Sequence, residues 1–152
     1  MFRNHKMGLR AKRRERGVSM PEMALGGVLF FTTLFGIVEF GRALATYNAL
    51  SEAVRRGARY AATQTQANVA NVRNMVVYGT PTAGTSPVAT SLIPADVTVT
   101  YTNFGMNSGQ VKVVIPSYSF YFNVPMFGAN YHMNPFSATA NAESAGIVPS
   151  NI

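Results

Sequence analysis

The sequence has no cysteine, only two histidines and only six acidic residues among its 152. Without cysteine there is no disulfide framework, no thiolate metal site and no cysteine nucleophile. His5 and His132 have no carboxylate or thiolate beside them, which argues against a metal site. The acids beyond Glu22 show no spacing typical of an acid/base pair, and the glycines form no phosphate loop. We therefore expect no enzyme, no cofactor and no small-molecule substrate.

The net positive charge is concentrated at one end of the chain. The formal net charge is +7, but seven basic residues precede Gly17 against one acidic residue, so the leader alone carries +6. The body is nearly neutral, so the high net charge describes the leader and is no evidence for a basic nucleic-acid-binding face on the body. A topogenic signal that stays cytoplasmic explains a basic cluster directly before an apolar segment, with a nucleic-acid-binding arm or a plain solvated tail as alternatives. The topology residues are Lys12, Arg13, Arg14 and Arg16.

Residues 23–38 contain no charge and are rich in Leu, Phe, Val and Ile. They number about 16, slightly fewer than the roughly 20 that span a bilayer. The shortfall is made up if residues 18–20 lie in the interface, or if Glu39 and Arg42 pair one turn apart. We predict a transmembrane helix over residues 18–40. A cleaved secretory signal is the alternative, although the sequence stays helical after the apolar run.

A carboxylate, Glu22, stands where the apolar helix begins. A charged group costs about 2–3 kcal/mol at the bilayer centre, so its presence needs a reason. Placement in a first turn after Pro21, facing the positive end of the helix dipole, accounts for the carboxylate. It does not account for Gly17 and the basic cluster at a fixed distance before it.

These residues resemble a known pattern. A basic leader ending in Gly17, with Glu22 at the fifth position after it, is similar to the processing site of type IV pilin-like proteins. The segments GIVEFGRA (residues 36–43), YNAL (residues 47–50) and GARYAA (residues 57–62) resemble the TadE-like family, the minor pilins or pseudopilins of tight-adherence (Tad) pilus systems.

The resemblance implies that a prepilin peptidase cuts between Gly17 and Val18, removing residues 1–17, and that Glu22 serves processing and assembly. It also implies other pilin or pseudopilin subunits, the inner-membrane assembly platform and membrane lipid as partners. The chain would cross the bacterial inner membrane once, with a cytoplasmic N-terminus and a periplasmic or extracellular head. The alternative is an uncleaved signal-anchored envelope protein whose small head binds a ligand or partner.

Small residues recur every fourth position beyond the apolar run and form a ridge for close helix packing. Each step drifts by about 40° around the helix. The ridge packs either on this protein's own head or on a neighbouring molecule, and we predict that the projecting helix continues over residues 41–75. The ridge residues are Gly41, Ala45, Ala49, Ala53, Gly57 and Ala61.

A charge cluster lies beside the ridge. Glu52 stands three positions before Arg55 and four before Arg56, with Arg59 one turn further. These spacings favour ion pairs of Glu52 with Arg55 and Arg56 on a solvated helix face. A docking site is the alternative.

Residues 76–152 predict a small β-rich head with Pro, Gly, Ser and Thr loops. Residues 96–104 alternate apolar and Thr residues as a half-buried strand, and residues 110–115 return as its hairpin partner. Pro116 places residues 117–122 on an edge or past a bulge. Residues 123–135, around Phe127, predict an apolar loop that is either core or a surface patch, and residues 136–144 a last strand. The expected fold is pilin-like α+β: a long N-terminal transmembrane and projecting helix followed by a small antiparallel meander.

Overall fold

The computed structural model describes residues 19–103, 109–123 and 128–141. Helix α1 spans Ser19–Ala62 and helix α2 spans Val69–Tyr78, with short 3-10 turns at Gln66–Asn68 and Pro94–Asp96. The strands are β1 Thr98–Thr102, β2 Gln110–Ile115, β3 Tyr118–Tyr121, β4 Asn130–Met133 and β5 Phe136–Asn141. The predicted α+β fold, a long apolar helix followed by a small antiparallel head, is confirmed.

Helix α1 ends at Ala62, so the structure divides the segment 41–75 that we predicted as one continuous helix. Thr63 donates its backbone N–H and its hydroxyl to the carbonyl of Tyr60, at 3.1 and 2.8 Å. Such local bonds of a Thr compete with helix continuation. The chain then reverses, and α2 buries Val72 and Val76 in the core. A straight continuation would have left these valines in solvent.

Helix α2 ends at Gly79, which adopts a left-handed conformation with φ 75°. Its N–H donates to the carbonyl of Met75, 3.1 Å away, and so satisfies one of the last helix carbonyls. Glycine is favoured at such a cap because it has no Cβ to clash. The cap starts the loop that leads to β1.

The main sheet has three antiparallel strands in the order β1-β2-β5. Tyr101 of β1 and Ala140 of β5 both lie opposite Val111 of β2. Strands β3 and β4 form a separate two-stranded sheet, with Phe120 opposite Tyr131. The predicted meander is therefore wrong in its order, because the chain leaves the main sheet after β2, at Pro116. Proline cannot donate to a sheet ladder, so it favours this departure.

The predicted hairpin strands are present, with β1 slightly shorter than expected. Val97 is buried and Val99 half-buried, whereas Thr98, Thr100 and Thr102 are exposed, as the alternation predicted. Residues 123–135, predicted as a loop, contain strand β4. The connecting residues 104–108 and the part of the apolar loop around Phe127 lie outside the described residues.

One hydrophobic core lies between the C-terminal half of α1, helix α2 and the main sheet. Helix α1 packs mainly against β5, α2 and β2. The core contains no buried charged residue among those described. Its largest fully buried side chains are Leu50, Val54, Val72, Val76, Val77, Leu92, Val97, Val111, Val113 and Ile115.

Candidate functional site

The N-terminal half of α1 makes almost no contact with the rest of the protein. Its large apolar side chains range in exposure from 44% at Leu34 to 82% at Met20. The most apolar 18-residue window of the helix has a mean hydropathy of 1.8, and none of it is buried inside the protein. A bare apolar surface of this extent is unfavourable in water and matches a lipid environment. This half of α1 is a membrane anchor.

The polar groups of the anchor are few and have local explanations. The hydroxyl of Thr33 donates to the carbonyl of Leu29, 2.9 Å away, so it needs no partner from lipid. Glu22 lies exposed in the first turn of α1, where the helix dipole favours a negative charge. The predicted cleavage residues Gly17 and Val18 lie outside the described residues, as do the topology residues Lys12, Arg13, Arg14 and Arg16.

The apolar run ends in an ion pair that also ties the helix to the head. Arg42 Nη2 lies 2.9 Å from Glu39 Oε2, so the pairing one turn apart, one of the two ways considered for lengthening the span, is present. The same Arg42 nitrogen donates to the carbonyl oxygen of Tyr121, and the guanidinium lies 4.8 Å from the ring centre of Phe120. The backbone N–H of Asn123 donates to Glu39 Oε2 at 3.4 Å. We call these five residues the junction.

The junction is unevenly buried. The side chain of Glu39 is only 13% exposed, whereas that of Arg42 is 45% exposed. A carboxylate this shielded is stabilised by its charged partner and by the backbone N–H of Asn123. The junction therefore attaches the end of hairpin β3–β4 that contains Tyr121 to helix α1, immediately after the anchor.

Two further contacts, each made by a tyrosine, lie between the junction and the core. Tyr47 of α1 packs on Phe136 at the start of β5, with ring centres 5.1 Å apart. The hydroxyl of Tyr118 in β3 donates to the carbonyl of Thr90, 2.8 Å away. Burial raises the pKa of the Tyr118 phenol, and the positive charge of Arg42 opposes that rise. Burial likewise raises the pKa of Tyr101.

The small-residue ridge is split between two environments. Ala53, Gly57 and Ala61 are buried against the head, and a Cβ at Gly57 would overlap Cγ2 of Val76. Gly41 and Ala45 are exposed, and nothing lies within 4 Å of the position of a Cβ at Gly41. Ala49 is half-buried between them. The drift of about 40° per step carries the ridge from the open side of the helix to the side that the head covers.

The charge cluster pairs differently from the prediction. The ion pair that the structure shows for Glu52 is with Arg59, at 3.1 Å, rather than with Arg55 or Arg56. Both partners are mostly exposed, at 72% for Arg59 and 55% for Glu52. Arg56 instead lies close to Gly79. An exposed pair of this kind contributes little to stability, about 0–1 kcal/mol.

Sequence reasoning missed a groove of about 440 Å³ between α1 and hairpin β3–β4. The sequence pattern that could have revealed the groove is the alternation of Tyr131 and Met133, because it places both side chains on the face of the strand toward α1. Because residues 123–135 were predicted as a loop, that alternation was not used. The lining of this aromatic groove consists of Phe40, Ala43, Leu44, Tyr47, Phe122, Tyr131, Met133 and Asn134.

In the part of the chain that the structure describes, no three His, Cys, Asp or Glu side chains form a cluster that could hold a metal ion. His132, predicted as a loop residue, lies in β4 opposite Ser119 of β3. Its Nδ1 is 2.9 Å from the Ser119 hydroxyl oxygen. A surface pair of this kind, with no acid beside it, is a cross-strand contact.

In a comparison with known protein families, residues 17–59 match the family model described as TadE-like protein. The predicted resemblance to the TadE-like family is thus confirmed over this range, and it relates the anchor and the following helix to Tad pilus systems. No curated protein and no solved structure matches the chain. The match ends within α1, so the head lies beyond it.

Proposed function

We propose that this protein is a minor pilin or pseudopilin, a membrane-anchored structural subunit of a Tad-type pilus or adherence secretion apparatus. The observation that carries the proposal is that the TadE-like match at residues 17–59 coincides with a bare apolar helix that has Glu22 in its first turn. A subunit of this kind needs no catalytic residues, and we propose that the protein is not an enzyme.

The first step in this function is processing by a prepilin peptidase between Gly17 and Val18. The basic leader keeps the N-terminus cytoplasmic, where the peptidase cuts, and the head lies on the opposite side of the inner membrane. Mass spectrometry of the membrane-extracted protein, expressed with the peptidase, is expected to find Val18 at the N-terminus. Gly17→Leu is the matched control and is expected to retain the leader. An N-terminus at Met1 in the unaltered chain would refute processing and favour an uncleaved signal-anchored protein.

The second step is assembly with other pilin or pseudopilin subunits on the inner-membrane platform. The amine freed at Val18 would pair with Glu22 of a neighbouring subunit, because an ion pair in lipid is far less costly than a lone carboxylate. The exposure of Glu22 supports this proposal, since no other described side chain of the subunit pairs with it. Glu22→Leu is expected to lower incorporation into the assembly, and incorporation is compared only among molecules whose leader has been cut, because Glu22 is also expected to serve processing. Glu52→Leu, on the head-bearing half of α1, is the control.

Incorporation is measured by the share of the protein in sheared surface fractions relative to the membrane. If Glu22→Leu is incorporated as well as the unaltered chain, the ion pair is not required for assembly. If neither variant nor the unaltered chain leaves the membrane, the subunit supports assembly from within the envelope, as a pseudopilin would.

A further inference from the structure

The aromatic groove lies at the membrane end of the head. It begins at Phe40, two positions beyond the uncharged run of residues 23–38. The C-terminal end of β3 lies beside the junction, since the carbonyl of Tyr121 accepts from Arg42 and the backbone N–H of Asn123 donates to Glu39. This end of hairpin β3–β4 therefore faces the bilayer that the anchor crosses.

The uncharged run of the anchor is shorter than the hydrocarbon layer is thick, so the residues that follow it lie close to the lipid. The uncharged run of residues 23–38 is about 24 Å long at 1.5 Å per residue, whereas the hydrocarbon layer is about 30 Å thick. Phe40 and Leu44, which are 61% and 49% exposed, extend the lipid-facing surface above it. Glu39 and Arg42 are paired with each other and bonded to the hairpin backbone, which lowers the cost of drawing them into the headgroup layer.

The exposed side chains at this end have the chemistry of the membrane interface. Tyr121 and Tyr131 of the hairpin are 58% and 56% exposed, and Tyr47 of α1 is 49% exposed. Tyrosine is enriched at both membrane surfaces because its ring is apolar and its hydroxyl is wet. Among the residues that the structure describes, the groove lining contains no acidic side chain that anionic lipid would repel.

We propose that the aromatic groove and the junction end of hairpin β3–β4, at Tyr121 and Asn130, rest in the lipid headgroup layer, with phospholipid as the occupant of the groove. The groove is continuous with the lipid-facing surface of α1, and this continuity favours lipid over a second copy of the chain. The head is then held at the membrane at two places, by the anchor and by the hairpin. This inference rests on the membrane anchor and is independent of any role in Tad assembly.

The experiment uses the absence of tryptophan from the sequence, since one introduced indole is then the only one in the protein. Full-length chains carrying Tyr131→Trp, Tyr60→Trp or Phe30→Trp are reconstituted in vesicles of phosphatidylcholine and phosphatidylglycerol. In separate vesicle samples the lipids carry bromine on the upper or on the lower carbons of the acyl chains, so that an indole near the interface and one near the bilayer centre each lie close to the quencher in one of the samples. Position 60 is the control, because it lies about 30 Å further along α1 than position 40.

We expect the indole at position 131 to emit at shorter wavelength in vesicles and to lose intensity with brominated lipid, while that at position 60 changes in neither respect. Because Tyr131→Trp alters the groove, Tyr121→Trp on the outer face of the hairpin is the second variant, with the same expected quenching. Equal quenching at positions 131, 121 and 60 overturns the proposal. So does emission at shorter wavelength without quenching, which means that protein covers the groove. Absence of quenching at position 30 would refute the anchor itself. This outcome distinguishes failure of the anchor from failure of the groove proposal alone.

Discussion

The two halves of helix α1 differ in what surrounds them. From Met20 to Phe40 the large apolar side chains are exposed, whereas Leu50 and Val54 in the second half are at most 2% exposed. Both halves are rich in small and apolar residues, although residues 23–38 contain no charge and the second half contains several charged residues. The difference comes from what the remaining chain covers, because α2 and the main sheet fold back on the second half only.

The same residue type therefore has opposite consequences in the two halves. A glycine in the first half leaves space that a lipid or another helix can fill, and a glycine in the second half is needed for the head to approach. In the absence of lipid and neighbouring subunits, only the second half contributes to the stability of the head. Substitutions that are matched between the two halves test this difference.

The largest effect is expected from truncation of the buried half. Leu50 is fully buried, so Leu50→Ala removes its contacts and leaves a cavity, which is expected to cost about 2–5 kcal/mol of unfolding free energy. Leu29 in the bare half is 63% exposed, so Leu29→Ala is expected to leave the stability of the head unchanged. Urea unfolding in detergent micelles, followed by the near-ultraviolet circular dichroism of the tyrosines, measures both. Equal losses in the two variants would contradict the division of the helix.

A second matched pair addresses close packing. Gly57→Ala places a methyl group where Cγ2 of Val76 lies, and overpacking of this kind is expected to cost about 1–3 kcal/mol. Gly41→Ala meets no atom within 4 Å and is expected to be neutral or to stabilise the helix by up to about 1 kcal/mol. The same urea measurement applies. A neutral Gly57→Ala would mean that α2 adjusts its position at no cost.

The junction is the boundary between the two halves and is expected to give an intermediate effect. Arg42→Met breaks the bond to the Tyr121 carbonyl and the contact with Phe120, and leaves the shielded Glu39 without its partner. We expect a loss of about 1–2 kcal/mol. Arg59→Met breaks an exposed pair on the same helix and is expected to cost less than about 1 kcal/mol.

Hydrogen exchange locates the effect of the junction variants. Arg42→Met should speed exchange in β3 and β4 more than in β2, because only the hairpin is tied to the helix by this residue. If exchange rises to the same extent throughout the head, Arg42 acts on the core as a whole and the junction does not hold the hairpin specifically.

The smallest effect concerns pH. Because folding raises the pKa of Tyr118, the protonated phenol is favoured in the folded state, and its contribution is present below the ordinary tyrosine value of about 10 and is lost as the pH rises above it. Tyr118→Phe removes the bond to Thr90 and is expected to cost about 0.5–1.5 kcal/mol at neutral pH. The variant should also lose less stability than the unaltered chain in urea titrations at higher pH. Tyr121→Phe, exposed on the same strand, should leave the neutral-pH stability unchanged.

Patterns within one element were readable from the sequence. The apolar run, the pairing of Glu39 with Arg42 and the alternation of β1 each depend on neighbours a few positions apart. Local spacing fixes such contacts once the helix or strand forms. The TadE-like resemblance also lies within a continuous stretch, which is why residues 17–59 were sufficient to reveal it.

Contacts between distant segments were not readable. The reversal after Ala62 and the pairing of β2 with β5 depend on which apolar faces meet in the core. The junction joins Arg42 to Tyr121 and Glu39 to Asn123, which are separated by 79 and 84 positions in the sequence, so no local pattern marks it. The aromatic groove combines α1 with a strand that was predicted as a loop, and it follows only from that packing.

The split ridge also gives helix α1 a front and a back. Gly41 and the core residue Leu50 are nine positions apart, which on an α-helix puts them about 180° around the axis. The head hangs from the front, and Gly41 and Ala45 lie exposed on the back. The direction in which the head folds down therefore decides which side of helix α1 stays open above the anchor.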